Sequence, residues 1–215
     1  MIINDVVTGI IAIVIAYLLG SVSGAYIITR LTTGKDIRTL GSGNAGGNNV
    51  FEQINFKAAI PVVIIDVGKG ALATAIAYWM LDVPFRDINI YIFLAGIAVV
   101  VGHIWPVYLK FRGGNGLSAT IGALAIIMPW ELLIVIGLLL LLKLITRNLV
   151  LSTNLSLLTV PISAWFLERD WMYVIFCLVL IVVLVLNFLP TARAAVTKAG
   201  DSKTLQKELL RKEKD

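Results

Sequence analysis

The chain has 215 residues, of which 59% are hydrophobic and 14% charged, and it carries a formal net charge of +5. Its mean hydropathy is +0.92, whereas a soluble domain is roughly 45–50% apolar and about 25% charged. A water-soluble globular domain is therefore excluded, and the positive balance does not indicate nucleic acid, because the cations cluster only in the C-terminal tail.

The first uncharged run covers 6–29. The preceding "MIINDVV" carries Asp5 and no Lys or Arg, so the run is expected to be a retained span and not a cleaved signal peptide. Ser21 and Ser23 lie beside Gly20 and Gly24, a small-residue spacing typical of helix packing. A second span is expected at 58–81, interrupted by Asp66 and Lys69 at i and i+3 on one helical face. An unpaired charge there is costly, so they are expected to pair with each other or with the first loop. The third run, 88–109, places His103, the one histidine of the chain, near its end. The stretch 117–146 would be ~45 Å long as one helix, too long for one upright crossing. "MPWE" at 128–131 suits a turn, so two helices are expected, at about 115–129 and 131–146. The runs 148–167 and 171–192 complete the set; Ser152, Asn154 and Ser156 in the first of them line a polar pocket or bond helices together.

These runs match the roughly 20 apolar residues needed to cross a bilayer as helix, and they are too long and uniformly apolar for barrel strands. The expected fold is an all-α integral membrane protein with seven transmembrane helices. Seven spans place all the Lys and Arg except Arg86 and Arg169 on one side. The positive-inside rule then puts the N-terminus outside and the C-terminus in the cytosol. The expected organisation is a membrane domain, 1–192, followed by a basic cytosolic tail, 193–215. The tail reads as a short interfacial helix attracted to anionic lipid.

The unusual sequences fall on the cytosolic side. "LGSGNAGGNNV", 40–50, combines glycines, asparagines and a serine. Glycine permits positive φ and close approach, and successive amides in such turns form anion-binding concavities. An ordinary flexible loop is the plain alternative. "GHIWPVYLKFRGGNG", 102–116, adds His103, Lys110 and Arg112. Its "GGNG" is expected to offer free N–H groups and a helix dipole to an anion. It lacks the spacing of a Walker A loop. Lone membrane histidines often only bond a neighbouring helix, but ionisable groups at membrane depth are also functional candidates. One His and one Cys cannot build a metal cluster or a disulfide.

Several ordered stretches resemble the bacterial acyl-phosphate–glycerol-3-phosphate acyltransferases. "YLLGSVSGAY" at 17–26 is similar to that family's opening, and "DIRTLGSGNAGGNNV" at 36–50 resembles its GSGNxGATN motif. "DVGKG" matches DxxKG, and 102–116 resembles GHxxPxxxxFKGGKG. The resemblance implies transfer of a fatty acyl group from acyl phosphate to glycerol 3-phosphate, giving lysophosphatidic acid, without any cofactor. It implies a multi-pass protein of the bacterial plasma membrane with its site facing the cytosol. The expected partners are acyl phosphate, glycerol 3-phosphate and membrane lipids, with no nucleic acid and the chain a monomer. By motif position it nominates His103, Ser42 and Asn44 as catalytic. It nominates Gly43, Asn48, Asn49, Arg112, Gly113, Gly114, Asn115, Gly116, Asp66 and Lys69 as substrate-binding. The chain departs from the family pattern at Asn48 (Thr in the motif), at Glu52 (Arg) and at Asn115 (Lys). "NFLP", Asn187 to Pro190, stands where HREN is usual. Two alternatives follow: a diverged relative that uses another acceptor or only binds lipid phosphate, and a transporter with a polar path through Asp66, Lys69 and His103.

Overall fold

A computed structural model describes residues 2–85, 87–147 and 149–199, and all regular structure among them is helical. The chain forms two compact units, 1–129 and 130–215. The first contains α1 (Ile2–Ser21), α2 (Gly24–Thr33), α3 (Gly47–Gln53), α4 (Phe56–Leu81), α5 (Ile90–Ile104) and α6 (Leu117–Ile127). The second contains α7 (Pro129–Thr146), which starts at the boundary, then α8 (Leu149–Leu157), α9 (Val160–Leu167) and α10 (Trp171–Ala199).

In the first unit α1 packs on α5, and α4 on α6. Two glycines show how close these helices come. A Cβ at Gly102 would lie 2.3 Å from the Tyr17 carbonyl oxygen, and one at Gly122 would lie 2.0 Å from that of Val67. Only a residue without a side chain lets the backbones touch in this way, and lipid-embedded helices associate largely through such packing.

The expected first span, 6–29, is broken. α1 stops at Ser21 and α2 begins at Gly24. Ser21 Oγ donates to the Tyr17 carbonyl at 2.9 Å, and Ser23 Oγ accepts from the Tyr26 amide at 3.2 Å as the N-cap of α2. Serines at these two positions offer the backbone alternatives to the helical ladder. The division of 117–146 falls where "MPWE" places it. Met128, at φ −140° and ψ 62°, lies outside the helical region, which is disfavoured for a residue before proline. Pro129 then opens α7, where its missing N–H has no intrahelical acceptor to lose.

The run 148–167 is also two helices and not one. Ser156 Oγ donates to the Ser152 carbonyl and Thr159 Oγ1 to the Ser156 carbonyl, both at 2.7 Å. Pro161 sits in the first turn of α9. Of the two readings for the polar opening of this run, cross-bonding is formed: the Ser152 and Thr146 hydroxyls are 2.9 Å apart, linking α8 to α7. α10 passes without a break through 193, the expected start of the tail, and reaches Ala199. The rest of the expected tail, 200–215, lies outside the described residues, as does Arg86.

Among the described residues five helical stretches are long and apolar enough to cross a membrane: Asp5–Thr33, Phe56–Leu81, Ile90–Leu109, Pro129–Thr146 and Trp171–Leu189. Two shorter apolar stretches accompany them, α6 at Leu117–Ile127 and Leu155–Leu167, which joins the end of α8 to α9. The chain is a multi-pass α-helical membrane protein.

Candidate functional site

The two glycine-rich loops meet. The Ala45 amide donates to the Gly113 carbonyl at 3.1 Å, and Asn44 Nδ2 donates to Asn115 Oδ1. Inside the first loop, Asn49 is 2% exposed. Its Nδ2 reaches the carbonyls of Ile37 (3.3 Å), Leu40 (3.0 Å) and Asn44 (2.9 Å), and its Oδ1 accepts from the Ser42 amide at 3.2 Å. One buried amide therefore ties down the backbone of the loop. Ser42 is exposed, and so is Asn48, which bonds Glu52 Oε1 at 2.7 Å across one helical turn of α3. Gly43 adopts φ +74°, and a Cβ there would stand 3.2 Å from the Arg38 carbonyl oxygen.

The second loop departs from the expectation of free amides. The Gly113 amide donates to the Ile104 carbonyl at 3.1 Å and the Gly114 amide to the His103 carbonyl at 3.0 Å. Both close the end of α5 instead of pointing at a ligand. Gly116, at φ +87°, caps α6 with no side-chain hydrogen bond, so the amides left for an anion are those of the first turn of α6, which have no intrahelical acceptor. Arg112 and Asn115 are exposed.

Asp66, Lys69 and His103 are brought together behind the loops. All three are buried. Lys69 Nζ lies 2.8 Å from Asp66 Oδ1, which is the mutual pair expected from the i,i+3 spacing. Lys69 Nζ also donates to the Val22 carbonyl at 2.6 Å, a backbone acceptor exposed by the break after α1. His103 Nδ1 lies 3.6 Å from the same Asp66 oxygen. On the ring's other side a Cβ at Gly114 would meet Nε2 at 2.1 Å. The imidazole is thus enclosed by α4 and the second loop.

A cavity of ≈ 260 Å³ opens at the break between α1 and α2. Ser21, Val22 and Ser23 form one wall, and Arg38, Tyr108 and Lys110 line it from the flanks of the two loops. None of the residues nominated from the sequence lines it. Arg38 is its best-fixed cation. Its Nη2 lies 2.7 Å from Asp36 Oδ2, its Nε bonds both carboxylate oxygens, and its Nη1 donates to the Leu109 carbonyl at 2.7 Å. The guanidinium also sits 5.6 Å from the centre of the Tyr26 ring. Arginine has five N–H donors, so two remain for an anion. The Arg38 guanidinium holds the Asp36 carboxyl below its usual range, and Asp36 raises Arg38 in turn. The available signal was the "DIR" ahead of the glycines: an acid two residues before an Arg can orient it by a bidentate contact. No group of His, Cys, Asp and Glu suited to a metal ion occurs among the described residues.

Fold and site together define a helical membrane protein with a cationic cavity and two glycine-rich loops at one end of its first unit. A sequence model of the glycerol-3-phosphate acyltransferases matches residues 10–196. Glycerol-3-phosphate acyltransferase 2 of Dehalococcoides mccartyi is 38% identical over 197 residues, covering 92% of this chain and 91% of its own. The glycerol-3-phosphate acyltransferase of Thermoanaerobacter pseudethanolicus is 46% identical over 116 residues, 54% of this chain and 56% of its own. The crystal structure of PlsY (YgiH), an integral membrane glycerol 3-phosphate acyltransferase, in its glycerol 3-phosphate form, superposes with a TM-score of 0.78 at 24% identity, over 88% of this chain and 92% of that one. The chain belongs to the glycerol-3-phosphate acyltransferase family.

Proposed function

We propose that the protein transfers a fatty acyl group from acyl phosphate to glycerol 3-phosphate and releases lysophosphatidic acid. The observation that carries this reading is the cavity between Arg38 and Lys110, opening where two phosphate-type loops converge. A solved relative of the same fold was crystallised in glycerol 3-phosphate and lysophosphatidic acid forms. Arg38 and Lys110 receive the acceptor's phosphate, the contact for which a preoriented guanidinium is best suited. The donor's phosphate lies on the first-turn amides of α6 and on the side chains of Ser42, Asn44 and Asn115. Asn48 and Arg112 are exposed beside these loops. Gly113, Gly114 and Asn49 hold the loop backbones, and His103, Asp66 and Lys69 support them from behind.

The chemistry needs little from the protein beyond placement. The acceptor oxygen attacks the acyl carbon, a carbon–oxygen ester bond forms, and the anhydride bond to phosphate breaks. The hydroxyl proton leaves with the phosphate product. The mixed anhydride is already activated, so juxtaposition and N–H donors at the leaving oxygens supply the acceleration. No cofactor takes part. The five long and two shorter apolar stretches support seven spans, with the N-terminus outside and the loops facing the cytosol of a bacterial plasma membrane. The chain acts as a monomer, with a basic segment following 192.

Purified protein incubated with palmitoyl phosphate and glycerol 3-phosphate tests the reading. Lysophosphatidic acid and inorganic phosphate are expected in equal amounts, and neither product appearing would overturn it. A second reading, transfer to a different acceptor, is favoured by one observation. Asn115 is engaged with Asn44 and contributes no charge to the loop. It predicts phosphate release only with acceptors other than glycerol 3-phosphate.

A further inference from the structure

Two buried polar groups converge on one oxygen, Asp66 Oδ1. Lys69 Nζ approaches it to 2.8 Å and His103 Nδ1 to 3.6 Å. Each partner of Asp66 holds a different part of the site. Lys69 carries on to the Val22 carbonyl at 2.6 Å, and Val22 lines the cavity wall. His103 carries on to the second loop, through its ring against Gly114 and through its carbonyl, which receives the Gly114 amide at 3.0 Å. Asp66 is 1% exposed.

We infer that Asp66 is a positioning residue that couples the broken-helix wall of the cavity to the 113–116 loop. The part of this inference that concerns substrate rests on the acyltransferase reading above. Val22 sits at a break where one carbonyl has left the helical ladder. In a low-dielectric interior that acceptor needs a strong donor, and Lys69 supplies it. Lys69 can be buried as a cation only beside a carboxylate. The carboxylate also favours the imidazole form with its proton on Nδ1, which turns the bare Nε2 edge to the Cα of Gly114. At 3.6 Å the His103 contact is longer than a hydrogen bond, so it acts by charge and orientation. If Asp66 is neutralised, the Lys69 anchor and the His103 orientation are lost together, although the two segments they support lie far apart in sequence.

The test replaces the ion pair as a unit, because removing one partner alone strands a buried charge and endangers folding. Asp66→Asn/Lys69→Gln keeps the shapes and removes both charges. Hydrogen exchange in detergent micelles, read by mass spectrometry, is expected to accelerate in peptides covering 19–26 and 112–118 together, with the peptides of α10 unchanged. The KM for glycerol 3-phosphate is expected to rise roughly tenfold, with kcat altered much less. Adding His103→Asn to the neutral pair is expected to bring no further acceleration at 112–118, as residues acting in one unit are not additive. Unchanged exchange in either segment overturns the coupling, and so does an additive effect of His103→Asn. Should the neutral pair not fold, Asp66→Glu retains the charge one methylene further out, and wild-type exchange in both segments with that variant would equally overturn it. A wild-type protein inactive on glycerol 3-phosphate would refute the functional reading alone, because the exchange measurement needs no substrate.

Discussion

Replacing Gly114 by alanine tests how tightly the second loop is fitted to the helix bundle. The new methyl would stand 2.1 Å from His103 Nε2 and 3.0 Å from the Ala45 carbonyl oxygen. Neither neighbour can yield easily. The His103 ring is 5% exposed and closed off by Asp66 on its far side, and the Ala45 backbone is bonded to Gly113. Overpacking of this kind costs about 1–3 kcal/mol. If the loop relieves it by shifting, the whole amount falls on the geometry of the donor site, a loss of roughly 5- to 150-fold in kcat/KM at ~1.4 kcal/mol per decade. Initial rates of phosphate release from palmitoyl phosphate, at varied glycerol 3-phosphate, measure it. Gly68→Ala is the control. A Cβ at Gly68 meets nothing within 4 Å, and alanine in a helix interior gains up to about 1 kcal/mol over glycine, so that variant should be as active and slightly more stable. A Gly114→Ala enzyme within about twofold of wild type, or a Gly68→Ala enzyme equally impaired, would refute the reasoning.

Asn49→Ala removes a side chain that accepts one amide and donates to three carbonyls. At about 1–3 kcal/mol for each buried group left unsatisfied, it should lower the melting temperature by several degrees and abolish most activity, as read by thermal unfolding and rate together. Arg38→Lys keeps the charge but loses the two-oxygen contact to Asp36; KM for glycerol 3-phosphate should rise about tenfold or more with kcat nearly constant. Asn115→Lys trades a neutral hydrogen bond of about 0.5–1.5 kcal/mol for a charged one of about 1.5–3 kcal/mol, so KM for acyl phosphate should fall, and a rise would show that the clasp to Asn44 matters more than charge. Because Asp36 is depressed in the folded protein, its contribution is complete above the unfolded value near 3.9 and disappears as pH falls through the lower folded value. The stability difference between wild type and Asp36→Asn should therefore be flat from about pH 5 upward and shrink in more acidic buffer.

Most of the helical plan was legible because lipid imposes it: an uncharged run of sufficient length has few alternatives. The division at Pro129 was legible for the same local reason, since proline constrains the residue before it. The break after Ser21 was not. Serine is tolerated inside membrane helices, and only the distant Lys69, whose donor meets the freed carbonyl of Val22, makes the break affordable. The Asp66–Lys69 pair could be read from spacing, but its third member, His103, arrives from a different helix. Glycines 113 and 114 illustrate a subtler limit. Their sequence suggests amides offered to an anion, whereas both amides close α5. Composition shows that a loop can approach closely, and not what it approaches. The role of Arg38 is not legible in the sequence, because it lies in a fixed orientation made by Asp36 and Leu109, a property of geometry and not of residue type.

Lys110 and Phe111 both occupy the left-handed region, at φ +54° and +61°. Each costs about 1–2 kcal/mol relative to an ordinary conformation, and a glycine at either position would remove that cost. The turn is therefore a place where sequence drift toward greater stability is open but unused. Lys110 lines the cavity, so its side chain gives selection a reason to refuse the more comfortable residue. Phe111 has no such contact, and a glycine there should emerge readily in any screen for heat-resistant variants. Its failure to do so would reveal a selective pressure acting through the exposed ring itself.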